Sequence, residues 1–327
     1  MKKFLLIVLV ITSFFAIQSC KRGSTTGFKS DNFSNGKAGE LILITDDQFF
    51  TDSLKKQVTD VLTQPQPAIN QIEPMFDLLN FSNQEFKGTF QRHRNIVHFD
   101  INPDYSSNRI TVERNVWASP QIYVHVKGTN ADTCVKMFLD QQNDFMPVLY
   151  ENDLKRLQVF YQTNKNAGIE TKIKEKFGYS ISVPQHYFIA REEPNFMWLR
   201  FRTAKNDRFI MIFKTPLNNL SKESLIKTRN EITKKFIPGA IKGSYPIVAE
   251  NEGFPLYEPY KIGTKQGFEL RGMWESVKDH MGGSFYSFSF LDPSGENCIT
   301  IDGFVYAPQE QKRDYIREVE AIVKSLK

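Results

Sequence analysis

Apolar and polar positions alternate along this chain with two periods, and the changes of period divide it into elements. In GELILITDD, residues Leu41 to Thr45 form a continuous apolar run bounded by polar residues, which predicts a buried strand. Phe50, Leu54, Val58, Val61 and Leu62 then recur at helical spacing until Pro65 and Pro67 stop them. NIVHFDI alternates and sets Ile96, His98 and Asp100 opposite Val97, Phe99 and Ile101. RITVERNV (109–116) and QIYVHVK (121–127) are further strands. Asn130 suits a helix cap, because its side chain accepts from free backbone N–H groups. The helix it opens runs through Val135, Phe138 and Leu139. Helical character resumes after Pro147 toward Phe160 and Tyr161, and Ile169, Ile173 and Phe177 extend a helical face that Gly178 ends.

The second half repeats this order of strands and then a closing helix. Strands are expected at Tyr179 to Val183, Tyr187 to Arg191, Phe196 to Arg202 and Arg208 to Phe213. Ser221 opens a helix to Phe236. Strands follow near Gly267 to Ser276, Ser284 to Leu291 and Asn297 to Tyr306, with Gly282 or Gly283 taking positive φ in the turn between the first two. Pro308 starts a final helix whose buried stripe is Tyr315, Val319, Ile322, Val323 and Leu326. The expected fold is α+β: antiparallel sheets covered by helices, in two similar-sized halves at 40–165 and 166–327.

The first residues follow neither period. Met1-Lys2-Lys3 is followed by an almost wholly apolar stretch, Phe4 to Ile17. That is the pattern of a secretory signal, and the run is too short for a membrane span of roughly 20 residues. It ends at Ser19, small as a cleavage site requires, and Cys20. The stretch FFAIQSCKRG resembles the lipobox of bacterial lipoproteins. Ile17 and Ser19 fit its apolar and small positions, while Gln18 departs from the common small residue. The resemblance implies that 1–19 is a signal peptide and that Cys20 carries the lipid, with acyl chains such as palmitate holding the chain to a membrane. An ordinary signal peptide with a chance cysteine is the alternative. Residues 20–39, rich in Gly, Ser, Asn and Lys, read as a flexible tether with a coil span of about 25 Å.

Composition narrows the rest. Hydrophobic residues make up 40% and charged residues 24% of the chain, as in a globular protein, and 28 Phe supply a large core. Net charge is +5, nearer +3 once Lys2 and Lys3 leave, and no dense basic block interleaves with aromatics. Nucleic acid is therefore not an expected partner. Beyond Cys20, Cys134 and Cys298 lie far apart and in different halves, so free thiols fit better than a disulfide, and no Cys-x-x-Cys exists.

Four stretches carry a wider resemblance: KFGYSISVPQHYFIAREEPNFMWLRF, TRNEITKKFIPG, ELRGMWESVKDHMGGSFYSF and IDGFVYAPQEQKRDYIREVEAIVKSL. They resemble the uncharacterised, domain-of-unknown-function lipoproteins of Bacteroidota. YSISVP and the final IVKSL helix are also similar to the small α/β/α sandwich of the Mog1/PsbP type, which implies that fold for the second half. In that phylum, export to the cell surface goes with acidic residues soon after the lipidated cysteine. Here Lys21-Arg22-Gly23-Ser24 follows, which implies an outer-membrane protein facing the periplasm.

Gly-x-Ser-x-Gly, His-Glu-x-x-His, the Walker loop and Gly-x-Gly-x-x-Gly are all absent from the sequence. The weak catalytic candidates are His280, as acid or base, and Ser284, as nucleophile, in WESVKDHMGGSF. A plain hairpin explains the same stretch. His98, Asp100 and His125 would hold zinc only if a third ligand converged, and a solvated sheet face explains them too. Lys312, Arg313 and Arg317 occupy expected exposed positions of the last helix, where an anion or plain solvation accounts for them. Trp198, Trp274, Tyr286 and Phe288 line either a ligand groove or the core. The sequence thus points to a non-catalytic envelope lipoprotein, a binding or scaffold module for an unknown envelope protein or ligand. No cofactor and no metal are expected. A hydrolase or transferase using His280 and Ser284, and a carrier of an apolar ligand, are the alternatives.

Overall fold

The computed structural model describes residues 32–216, 219–251 and 253–327. The signal segment and Cys20 lie outside the described residues. The first half contains β1 (Glu40–Ile44), α1 (Asp52–Leu62), β2 (Asp77–Phe81), β3 (Asn95–Ile101), β4 (Arg109–Arg114), β5 (Ile122–Gly128), α2 (Ala131–Asp140) and α3 (Gln142–Thr163). Its sheet has the order β2-β1-β3-β5-β4. One face packs Leu41, Leu43, Val97, Phe99, Val124 and Val126 against α1, α2 and the start of α3. The other face carries Ile42, Ile44, Ile96 and Tyr123 and is capped by loop residues Phe86 and Trp117 rather than by a helix.

The second half contains α4 (Ala167–Phe177), β6 (Phe188–Glu193), β7 (Phe196–Arg202), β8 (Asp207–Pro216), α5 (Lys222–Phe236), β9 (Pro246–Ala249), β10 (Leu256–Ile262), β11 (Lys265–Ser276), β12 (Gly282–Leu291), β13 (Asn297–Tyr306) and α6 (Arg313–Val323). Seven strands run in the order β10-β11-β12-β13-β8-β7-β6, and β9 pairs with the end of β11. Every pair is antiparallel. Alternation splits the strands between two cores. Ile210, Ile212, Tyr286, Phe288, Ile299 and Ile301 face α4 and α6, whereas Phe196, Trp198, Phe209, Phe285 and Phe304 face α5. The half is an α/β/α sandwich within an α+β chain.

Several elements depart from the expected pattern. Antiparallel pairing holds throughout the second sheet, but in the first only β4–β5 is antiparallel; β1–β2, β1–β3 and β3–β5 are parallel. Long crossovers through α1 and through residues 82–94 permit this. The tether reading of 20–39 fails for its last eight residues. Phe33 pairs with Ser119 and Asn35 with His93, Ser34 is buried, and the Gly39 N–H donates to Asp153 at 2.9 Å. Packed structure therefore begins by Asn32, not at residue 40. Tyr179 to Val183 is no strand; it runs beside the C-terminus, with Ser180 and Lys327 exchanging backbone hydrogen bonds. α3 passes through Pro147 instead of restarting after it. The proline removes one i→i−4 bond early in the helix, and buried Phe145, Met146 and Leu149 around it hold the helix to the core. α6 starts at Arg313 rather than at Pro308.

The β11–β12 connection also differs. Positive φ falls on Lys278 (73°), not on Gly282 or Gly283, and both glycines belong to β12. Their role is close approach: a Cβ on Gly283 would sit 2.0 Å from the Val305 carbonyl oxygen and 3.0 Å from Trp274 Nε1. Trp274 and Phe304 are core residues as expected, and Trp274 Nε1 donates to the Val305 carbonyl at 3.0 Å.

Candidate functional site

The three cations expected on the open face of the last helix are turned inward. Lys312, Arg313 and Arg317 are 2%, 6% and 1% exposed, because α6 is sheltered by the first half as well as by its own sheet. Glu73 accepts from the backbone N–H of Lys312 (2.7 Å) and of Arg313 (2.8 Å), so a carboxylate of one half caps a helix N-terminus of the other. Arg313 also reaches Asp77 at 2.7 Å. Arg317 donates through Nε and Nη2 to Gln66 Oε1 (3.1 and 2.9 Å) and through Nη1 to Asp153 (3.1 Å). Asp153 accepts from Arg94 and Asn95 as well.

One turn on, Glu320 holds the centre of the seam. Arg271 donates to its Oε1 and Tyr150 to its Oε2, each at 2.5 Å, and Lys324 lies 3.1 Å away. Burial alone would raise this carboxyl, but Arg271 and Lys324 together outweigh it and hold Glu320 at about 2. Burial pushes the Tyr150 hydroxyl up to about 12, so it stays protonated and donates. Glu269, bonded by the Tyr286 hydroxyl at 2.7 Å, is raised by burial that Lys324 and Arg271 only partly offset.

A cleft of about 350 Å³ opens at this point between the halves. α3 lines it with Asn143, Met146, Pro147 and Tyr150, one helical face at i, i+3, i+4 and i+7 spacing. β11 lines it with Glu269 and Arg271, which alternation puts on one side of the strand. Gln66 closes it. Gln66 is 4% exposed, and its Nε2 has no hydrogen-bond partner among the described residues. A buried amide donor left open is costly unless something accepts from it. The cleft thus combines apolar walls with a few converging polar groups, which is the composition of a ligand site. Sequence reasoning missed it. The available signal was charge on buried stripes: Arg317, Glu320 and Lys324 fall at i, i+3 and i+7 beside Ile316 and Val323.

His280 and Ser284 do not converge. His280 is exposed in the β11–β12 connection, whereas Ser284 is fully buried in β12. Ser284 Oγ has no partner among the described residues, so the nucleophile–base pair that the hydrolase reading needs is not formed. His98, Asp100 and His125 do meet on one face. The two rings stack at 5.4 Å, and His125 Nε2 lies 3.2 Å from Asp100. His98 instead spends both nitrogens on Tyr123 (2.7 Å) and Asn83 (2.5 Å). Among the described residues no group of three or more His, Cys, Asp or Glu is placed to hold a metal. Trp198, Trp274, Tyr286 and Phe288 are buried, as core rather than groove. Cys134 and Cys298 are buried and unpaired.

Residues 34–162 match a family described as Domain of unknown function (DUF8532), and residues 166–325 match Domain of unknown function (DUF4837). Both halves match families of unknown function. No curated protein matches the chain. Among solved structures, the Ran-binding protein Mog1p of Saccharomyces cerevisiae matches over 46% of this chain and 91% of its own, at 8% identity and a TM-score of 0.29. LpqN of Mycobacterium tuberculosis, involved in cell envelope biogenesis, matches over 45% of this chain and 79% of its own, at 10% identity and a TM-score of 0.29. A protein of Bacteroides thetaiotaomicron matches over 46% of this chain and 44% of its own, at 11% identity and a TM-score of 0.25. At such TM-scores no likeness of function follows. No described helix is long and apolar enough to cross a membrane.

Proposed function

We propose that the protein is a non-catalytic, lipid-anchored module of the bacterial envelope that holds a small ligand in the cleft at its seam. The cleft carries the reading: about 350 Å³ between two halves, with the Gln66 amide nitrogen unpartnered at its wall. Junctions between domains are where such sites concentrate. The polar groups there suit binding better than turnover. Tyr150 and Glu320 are bonded to each other, and among the described residues no serine or cysteine lines the cleft. The ligand that fits offers an acceptor to Gln66 and an apolar surface to Met75, Met146 and Pro67. The anchor is assigned to Cys20 on the charged start, the apolar run and Ser19-Cys20, and the location to the periplasmic face of the outer membrane.

Two measurements on the chain isolated from membranes test this. Its intact mass should include a diacylglycerol, and Cys20→Ala should leave the detergent phase. Mass spectrometry of small molecules released on denaturation should find a ligand that Met146→Trp, which fills the cleft, retains at least tenfold less. Equal retention by a Met146→Trp chain with an unchanged melting temperature overturns the cleft. Unchanged partitioning of Cys20→Ala overturns the anchor.

A further inference from the structure

Asn32 is the first described residue, and it lies against a second, distinct groove. The Ser119 N–H donates to the Asn32 carbonyl at 2.8 Å, and the Ser34 N–H donates back to Ser119 at 3.2 Å. Arg156 of α3 stacks over Phe33 at 4.3 Å. Asn35 is tied to the Thr89 carbonyl at 2.8 Å. The chain therefore enters the body between the loop after β4, the loop before β3 and the last turns of α3. A groove of about 410 Å³ opens beside it, lined by Arg114, Ser119, Glu151, Lys155, Gln158 and Val159.

Charge and apolar surface in this groove are both left over. Arg114 and Lys155 are exposed, and neither side chain has an ion-pair or hydrogen-bond partner among the described residues, whereas most buried cations at the seam are paired. The one carboxylate in the groove, Glu151, is already taken by Lys324 at 2.6 Å and by the Tyr260 hydroxyl at 3.1 Å. Next along the chain from lining residues stand exposed apolar side chains, Val116 at 40% and Phe160 at 56%. Phe90, at 44%, follows Thr89. Two free cations in a groove whose lining residues have exposed apolar neighbours in the sequence match an interfacial layer, with anionic headgroups above acyl chains.

Where the chain enters supplies the occupant. Eleven residues stand between Cys20 and Asn32, and the twelve steps from one to the other, fully extended, reach at most about 43 Å. A folded body of this size is about 50 Å across, from the usual scaling of radius with length. The bilayer holding Cys20 therefore lies within reach of the entry face, and the groove at that entry presents Arg114 and Lys155. We infer that this groove seats an anionic phospholipid headgroup of the anchoring bilayer, fixing the body's orientation on the membrane. The inference rests on the lipid anchor at Cys20 and is independent of the cleft at the seam.

The test uses the mature lipidated chain in vesicles of phosphatidylcholine alone or with phosphatidylglycerol, both carrying brominated acyl chains that quench nearby tryptophan. Trp117 adjoins Val116, while Trp198 and Trp274 are buried in the second half. Trp117→Phe supplies their background. Quenching above that background is expected in the anionic vesicles. Arg114→Gln and Lys155→Gln should each weaken the contact about fivefold, the usual contribution of one basic residue at an anionic surface. Excess inorganic phosphate at matched ionic strength should leave the contact intact. Val116→Ser with Phe160→Ser should lower quenching in the anionic vesicles. A chain that floats with the vesicles yet shows no quenching above the Trp117→Phe background overturns the inference alone. So does competition by inorganic phosphate, which would make the groove a soluble-anion site. A chain that does not float overturns the anchor and this inference with it.

Discussion

His98 stands on β3 between Ile96 and Asp100 and turns its ring to the sheet face capped by Phe86 and Trp117. Burial lowers its imidazole to about 4 from the ordinary 6.5, and neighbouring His125 adds to the effect while Asp100 opposes it. The folded chain therefore takes up this proton less readily than the unfolded chain. Stability is full above pH 6.5 and falls as pH drops from 6.5 through about 4, by up to about 1.4 kcal/mol per pH unit. His98→Gln keeps a polar side chain that does not titrate, and its urea midpoint should vary less across that window than the parent's. A residual slope should remain from His93, also lowered chiefly by burial. An unchanged pH profile in His98→Gln would mean that the ring is solvated enough to charge freely. The sequence put His98 and Asp100 on one face through simple alternation, and the pairing of β3 with β5 sets His125 beside them. It did not show that Asn83 and Tyr123 occupy both His98 nitrogens, because Asn83 arrives from a loop whose path alternation does not fix.

α6 shows how one helix end is built by distant residues. Its N-cap position, Lys312, makes no side-chain capping bond; Glu73, some 240 residues earlier, supplies the acceptor instead. Glu73→Ala leaves two buried N–H groups open at the positive end of a helix and should destabilise the chain by about 1–2 kcal/mol, at the upper end of N-cap losses. Glu73→Gln retains an acceptor but not the charge, so its urea midpoint should fall between those of Glu73→Ala and the parent. Local caps were legible: Asn130 and Ser221 cap α2 and α5, and Gly178 ends α4 with φ of 80°. Each of these signals acts within a few residues. Strand direction acts over a longer range, and the parallel pairs of the first sheet were not expected. Their signature was nonetheless present in LILI, four apolar residues in a row that mark a strand buried on both faces. Gly282 and Gly283 were read as turn glycines because a glycine pair between strands usually is one; what they accommodate is a carbonyl and an indole from elsewhere in the sheet.

The two halves match separate families, yet α3 belongs to both cores. Phe145 and Leu149 near its start pack with the first sheet, while Leu154 and Tyr161 pack with the second half's core. Arg317 then joins Gln66, Met75 and Asp153 of the first half to α6 of the second. A shared helix and a buried ion pair across the seam couple the unfolding of one half to that of the other. Urea unfolding followed by Trp117 in the first half and by Trp198 and Trp274 in the second should therefore give coincident transitions, as in a two-state unit. Arg317→Met is the informative change. It keeps an apolar stem but strips Gln66 Oε1 of both Arg317 bonds and Asp153 of one of its two arginines. Breaking one side of a buried pair costs about 3–5 kcal/mol, and the lower end is expected here because Arg94 still faces Asp153 at 3.3 Å. The loss falls on the seam and not within either core. The two probes should then part, with the midpoint for Trp117 separating from that of Trp198 and Trp274. Coincident transitions in Arg317→Met, merely shifted to lower urea, would show that α3 alone carries the coupling and that the charged seam adds stability without adding cooperativity.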